Sequence, residues 1–401
     1  MLPAAKTPPR MLTLVILTGL SIVSLNLIAP SLAHIAEDFQ VDYAIATLAI
    51  AGYLAITGVL QLFLGPLSDR FGRRPVILWG MAIFVIASAG CALADNIWIF
   101  LTFRMIQGAV IVGGALSRAV IRDMFETKEA ASRMAYVSMA MAVAPMLGPM
   151  LGGILDQLFG WRASFWMFLL AGAGVFWLCW QDLGETNSEP SETFAKQFRA
   201  YPDLLTSRRF WGYSMVLTFS IGGFYVFVSG VPLVATSLLH LSPGVLGLFI
   251  GSTTLGFFFG SLLSGRIAHR YQLATMILAG RLASSAGLAV GLVAILLGHV
   301  NEFSLFGSVV SVGFGNGLSV PACNVGAMSI RPKLAGSASG LSGAMTVGGG
   351  AGLTSMTGWL VTAENGAWML LSIMLAISLA GLVIAFYIRR IDLLEGPPEV
   401  T

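Results

Sequence analysis

The chain has 401 residues, of which 56% are hydrophobic and 10% charged, with a mean hydropathy of +0.84 and a net charge of +3. Soluble domains carry about 25% charged residues, so this chain lacks the polar side chains to clothe a water-soluble core, and an integral membrane protein is implied. Neither a disulfide, a metal site nor a nucleic-acid partner is expected: Cys91, Cys179 and Cys323 sit singly in apolar runs, and the four histidines are scattered without ligand spacing.

A helix crosses the roughly 30 Å hydrocarbon layer with about 20 apolar residues. Lys6 and Arg10 precede an uncharged stretch over 11–33, longer than the roughly 7–15 apolar residues of a signal peptide, so it is expected to stay as a first span at 12–33. Eleven further spans follow at 44–66, 75–94, 97–117, 132–155, 163–181, 210–234, 244–265, 274–297, 304–328, 337–361 and 367–388. With both termini placed in the cytoplasm, 19 of the 22 Lys and Arg residues fall on the cytoplasmic side; Arg162 falls opposite, and Arg104 and Arg281 lie inside spans. That bias is the positive-inside signature.

The polar stretch 182–209, containing "DLGETNSEPSE", divides the chain into two six-span halves, 1–181 and 210–401. "GPLSDRFGRR" (65–74) overlays "GRIAHRYQLA" (265–274), with Gly65 on Gly265, Arg70 on Arg270 and His269 where Asp69 would stand. Each segment follows the second span of its half. Parallel six-helix repeats are a transporter architecture, and an all-α polytopic protein is expected.

Three stretches carry a family resemblance. "GPLSDRFGRR" resembles the loop 2–3 motif of the major facilitator superfamily, "RMIQGAVIVGG" (104–114) the helix 4 motif of its proton-driven members, and "APMLGPMLGG" (144–153) the helix 5 motif of its antiporters. "SRAVIRDMF" (117–125) and "GWRASFW" (160–166) further resemble the Bcr/CflA branch of drug/proton antiporters. The resemblance implies two pseudo-symmetric six-helix bundles working by alternating access. It also implies a proton gradient in place of a cofactor, small amphipathic drug-like substrates, and a monomer in the lipid of the inner membrane.

The residues give these motifs physical content. In 65–74 the span has to end, turn and restart, with Gly65 and Gly72 for the turn and Pro75 opening the next helix. A turn that only fixes orientation has no need of Asp69. A carboxylate among Arg70, Arg73 and Arg74 makes a latch that can hold in one global state and release in another, and the resemblance adds Asp123 to that network. Arg104 is expensive inside a membrane, about 2.5–3.5 kcal/mol on insertion scales, so it either snorkels outward or lines a polar interior with Gln107. Pro145, Gly148, Pro149, Gly152 and Gly153 bend span 5 and let neighbours approach; in the family this helix prevents leak.

No Asp or Glu is expected at mid-membrane, and Asp156 is assigned to the outer loops or their edges. Where the Bcr/CflA branch has an aspartate before a helix 1 proline, "NLIAPSLAHIAEDF" (26–39) has Asn26. Proton carriage then falls to Arg104, Asp123 or His34. An alternative is a metabolite exporter, or a transporter driven by voltage without protons, since one charge moved through 100 mV is worth about 2.3 kcal/mol. Candidate substrate contacts are Asn26, Tyr53, Gln61, Gln107, Met139, Met141, Phe224, Tyr225, Phe227, Phe257 and Asn316, an adaptable greasy set. The spans hold no convergent acid, base and nucleophile, so an enzyme is not expected.

Overall fold

In the computed structural model, residues 9–125, 127–187, 201–268, 270–331 and 334–396 are described. They form α1 (Met11–Asn26), α2 (Leu32–Asp38), α3 (Tyr43–Phe71), α4 (Arg73–Ala92), α5 (Ile97–Ile106), α6 (Ile111–Met124), α7 (Thr127–Phe159) and α8 (Arg162–Asp182). After a short α9 (Tyr201–Leu205) come α10 (Arg208–Ser237), α11 (Pro243–Ile267), α12 (Leu273–Leu296), α13 (Glu302–Ser329), α14 (Ala335–Leu360) and α15 (Gly366–Glu395). Every expected span has its helix, and spans 1–6 and 7–12 make two six-helix bundles.

Spans 1 and 4 are broken. A 3₁₀ turn at Ala29–Ser31 joins α1 to α2, and another at Gln107–Val110 joins α5 to α6. Pro30 accounts for the first, because its ring removes a donor and crowds the preceding turn. The second contains Gly108, a poor helix former. Both spans were expected to be unbroken and shorter; they run on to Asp38 and Met124.

Among the described residues ten segments are long and apolar enough to cross a membrane. The helix of span 11, α14, is as long but diluted with Gly, Ser and Thr, and α7, of span 5, is rich in Ala and Met with glycines at 148, 152 and 153. Their position explains this composition. The helix α7 packs on α11 and α14 packs on α3, so both run between the bundles, where small residues allow close approach. Apolar side chains such as Trp79, Leu170, Val290 and Trp359 stand largely exposed on the exterior, as a lipid-facing surface requires.

The bundles are joined on the side opposite residues 65–74. There Tyr43 Oη donates to Ser229 O at 2.5 Å. Ser242 Oγ and Gly244 N–H both donate to Gln157 Oε1, at 3.3 and 3.2 Å.

Candidate functional site

Arg104 is 0% exposed, so it does not snorkel. The last carbonyls of an α-helix lack partners within the helix, and α1 ends beside this guanidinium. Arg104 Nη2 donates to Ser24 O at 2.8 Å and reaches Leu25 O at 3.5 Å, Nε donates to Ala49 O at 3.2 Å, and Nη1 donates to Gln107 Oε1 at 2.5 Å. Its carbon lies 4.2 Å from the centre of the Tyr53 ring, whose hydroxyl is 2.7 Å from Ser24 Oγ. Gln107 Nε2 donates in turn to Ser88 Oγ at 2.7 Å. All these partners are neutral. Stripping water from an ion costs several kcal/mol, and here dipoles and a ring face offset it without a carboxylate. The break in span 1 supplies two of the acceptors.

Asn26, at that break, is 3% exposed and lies against Gly148 of α7. Its Nδ2 donates to Ile22 O at 3.1 Å, while Oδ1 is buried with no partner.

The segment 65–74 differs from its expected shape. The helix α3 continues through Gly65, with Pro66 inside it, to Phe71, and α4 starts at Arg73. Gly72 alone makes the turn, at φ 96°. Gly65 is therefore a helical residue, and Pro75 lies within the first turn of α4 instead of opening it. This tight corner folds Arg73, the first residue of α4, back against Asp69 near the end of α3. Arg73, 5% exposed, places Nη1 2.6 Å from Asp69 Oδ1 and Nε 3.0 Å from Asp123 Oδ2, and also bonds Ser68 Oγ. Arg70 and Arg74 point elsewhere: Arg70 lies over the Phe71 ring, and Arg74 donates to Trp180 O at 2.9 Å.

Sequence reasoning missed Glu185. Its carboxylate accepts from the Arg73 N–H at 2.8 Å and the Arg74 N–H at 3.3 Å, so an anion caps the start of α4. A Cβ at residue 72 would strike that carboxylate, a second reason for glycine there. Asn187 Nδ2 donates to Asp69 O at 2.8 Å and fastens the same strap. Nothing local in "DLGETN" announces this role.

The span 5 motif lies in the half of α7 away from residues 65–74. A Cβ on Gly152 would collide with Leu27 O. A Cβ on Gly153 would meet Pro243 O and the Gly247 Cα, and one on Gly247 would meet Pro149 O. Spans 1, 5 and 8 therefore touch main chain to main chain. One turn on, Asp156 is not a loop-edge residue: it lies within α7, its side chain is 0% exposed, and its Oδ1 is 2.8 Å from His34 Nδ1.

Residues 14–355 match the Major Facilitator Superfamily. The chain belongs to that superfamily. It is similar to the Escherichia coli K12 protein "Multidrug resistance protein D", 28% identical over 93% of each chain. It is likewise 28% identical to "Multidrug resistance protein MdtL" of Shigella flexneri serotype 5b, over 89% of this chain and 90% of that one. A bacterial homolog to the human lysosomal transporter Spinster, in an inward-facing and occupied conformation, superimposes with a TM-score of 0.76 at 16% identity over 98% of both chains.

Within this major facilitator fold the remaining candidate contacts fall into separate places. Asn26, Tyr53 and Gln107 join Arg104 in the N-terminal bundle. Gln61 of α3 reaches across to the other bundle, its amide against Gly343 of α14, whereas the Tyr225 ring rests on Gly350 of α14 within the C-terminal bundle. Phe224 adjoins Tyr225, with ring centres 6.0 Å apart. Phe227 meets Phe306 edge to face at 5.9 Å, the Phe257 backbone packs on Gly313 and Gly317, and Asn316 holds buried Arg281. These last three serve packing within the C-terminal bundle. The side chains of Met139 and Met141 lie outside the described residues, as does His269.

Proposed function

We propose that this protein exports small amphipathic compounds, antibiotics among them, across the inner membrane by alternating access driven by proton entry, as a member of the Bcr/CflA branch. Both termini and residues 65–74 face the cytoplasm, and 182–209 joins the bundles 1–181 and 210–401. One observation carries the reading: the two ends of the molecule have different fastenings. At the outer end the bundles meet through a main-chain seam of Gly153, Gly247 and Pro149. At the inner end an ion-pair cluster, Arg73 with Asp69 and Asp123, lies within the N-terminal bundle, its pairs open to exchange. Between them lies the Arg104 cluster with the unpartnered Oδ1 of Asn26, suited to polar or zwitterionic groups on an otherwise apolar ligand. The names of the two sequence relatives support drug-like cargo.

Asn26 in place of a carboxylate favours a second reading, transport driven by voltage without protons. Purified protein in vesicles separates the two. Proton-coupled efflux releases protons when amphipathic drugs are added and accumulates them under a pH gradient alone. Accumulation that follows an imposed potential and ignores the pH gradient supports the second reading, and no transport of a broad panel of amphipathic drugs removes drug export.

A further inference from the structure

We propose that Asp156 and His34 form a one-proton switch that governs the outer seam, with Asp156 the buried proton acceptor and His34 its relay to water. This rests on the proton-driven reading and supplies the carboxylate that span 1 lacks. His34 Nδ1 lies 2.8 Å from Asp156 Oδ1; the His34 side chain is 47% exposed and that of Asp156 0%. Asp156 Oδ2 is buried and has no hydrogen-bond partner. A proton arriving at His34 Nε2 from water lets the Nδ1 proton pass to Asp156 Oδ1, and the ring ends neutral. With one proton the pair is neutral overall, as imidazolium–carboxylate or as imidazole–carboxylic acid. Without it a lone carboxylate stays buried with one oxygen unsatisfied, which burial strongly opposes. The protonated pair therefore belongs to the closed seam, and the deprotonated pair drives that end open to water.

The mechanical link is short. Gln157, the next residue, receives Ser242 Oγ and the Gly244 N–H across the seam. Gly153, one turn back, meets Pro243 and Gly247. Among the surrounding charges, the Asp38 carboxylate also feels His34. Glu37 and Asp38 share α2 with His34, and Asp42 precedes α3. Asp38 is taken by Arg162 at 2.6 Å. The end of α10 packed against α2 carries no ionisable residue from Ser229 to Ser237, and α11 offers Gln157 a hydroxyl and an amide.

The test uses the full chain in nanodiscs with spin labels on Phe159→Cys and Phe303→Cys, positions 73% and 85% exposed; the native thiols are buried. The label distance should lengthen as pH rises from about 5 to about 9, across the range where histidine chemistry operates. Asp156→Asn should hold the short distance at every pH, and His34→Gln should move or flatten the titration. A wild-type distance indifferent to pH overturns the proposal, as does an Asp156→Asn or His34→Gln titration like that of wild type. In vesicles, proton-coupled efflux that survives both substitutions at the wild-type rate defeats the switch and leaves drug export standing. A pH-dependent distance abolished by Asp156→Asn, in protein that exports no drug, defeats drug export and leaves the switch.

Discussion

The two bundles are held together by different mixtures of contacts. In the C-terminal bundle α11, α12 and α13 touch through main chain: a Cβ on Gly256 would strike Val310 O, one on Gly260 would strike Phe314 O, one on Gly317 would strike Phe257 O, and Gly280 and Gly315 face each other's carbonyls. In the N-terminal bundle Gly52, Gly80, Gly90 and Gly172 meet side chains, those of Met105, Val112, Phe103 and Phe84, while Gly152 on Leu27 O and Gly113 on Leu17 O keep main-chain contact where span 1 packs. There the polar work is done by Arg104, Arg73 and Glu185, through bonds that reach between spans. Main chain cannot yield without moving a whole helix, whereas side-chain bonds can be exchanged one at a time. The expected outcome is that the N-terminal bundle changes its contacts during transport while the close-packed α11–α13 core of the C-terminal bundle stays as the frame.

The largest effect that can break this contrast is steric. Gly256→Leu or Gly317→Leu should cost about 3 kcal/mol or more by overpacking against backbone and leave little folded protein on size exclusion. Gly52→Ala, facing a flexible methionine, should cost under about 1 kcal/mol in a thermal melt. Equal costs would erase the distinction. Next, Arg104→Ala should lower transport about a hundredfold, since about 2.7 kcal/mol of stabilisation goes with its hydrogen bonds. Arg281→Ala, whose guanidinium is received by Asn316 and Ser319 within the frame, should destabilise the protein while lowering transport less than about tenfold; the reverse pattern would exchange the roles of the bundles. Arg73→Gln should slow transport about tenfold at unchanged protein abundance, with Asp69→Asn milder because Asp123 and Ser68 still hold the arginine. On transport the smallest effect is that of Glu185→Ala, a lost helix cap worth about 1 kcal/mol, read as a small drop in melting temperature with transport nearly intact.

The spans and their pairing into halves were legible because apolar length and cation placement are local, additive signals. The same signals misled at particular residues. The glycines and proline of 65–74 suggested a loop, yet helix persists to Phe71 because one residue, Gly72, takes the whole reversal. Pro30 marked a helix 1 motif but not the break that hands two carbonyls to Arg104. Asp156 read as a loop-edge acid because span 5 was ended at 155; only the continuation of α7 to Phe159 and the arrival of His34 from another span bury it. Glu185 was hidden for a related reason: its partners lie more than a hundred residues earlier, and no spacing rule reaches that far.

The seam of Gly153, Gly247 and Pro149 has an evolutionary consequence. A seam made of backbone is indifferent to most side-chain substitutions around it, so the residues beside it are free to drift without loosening the closure.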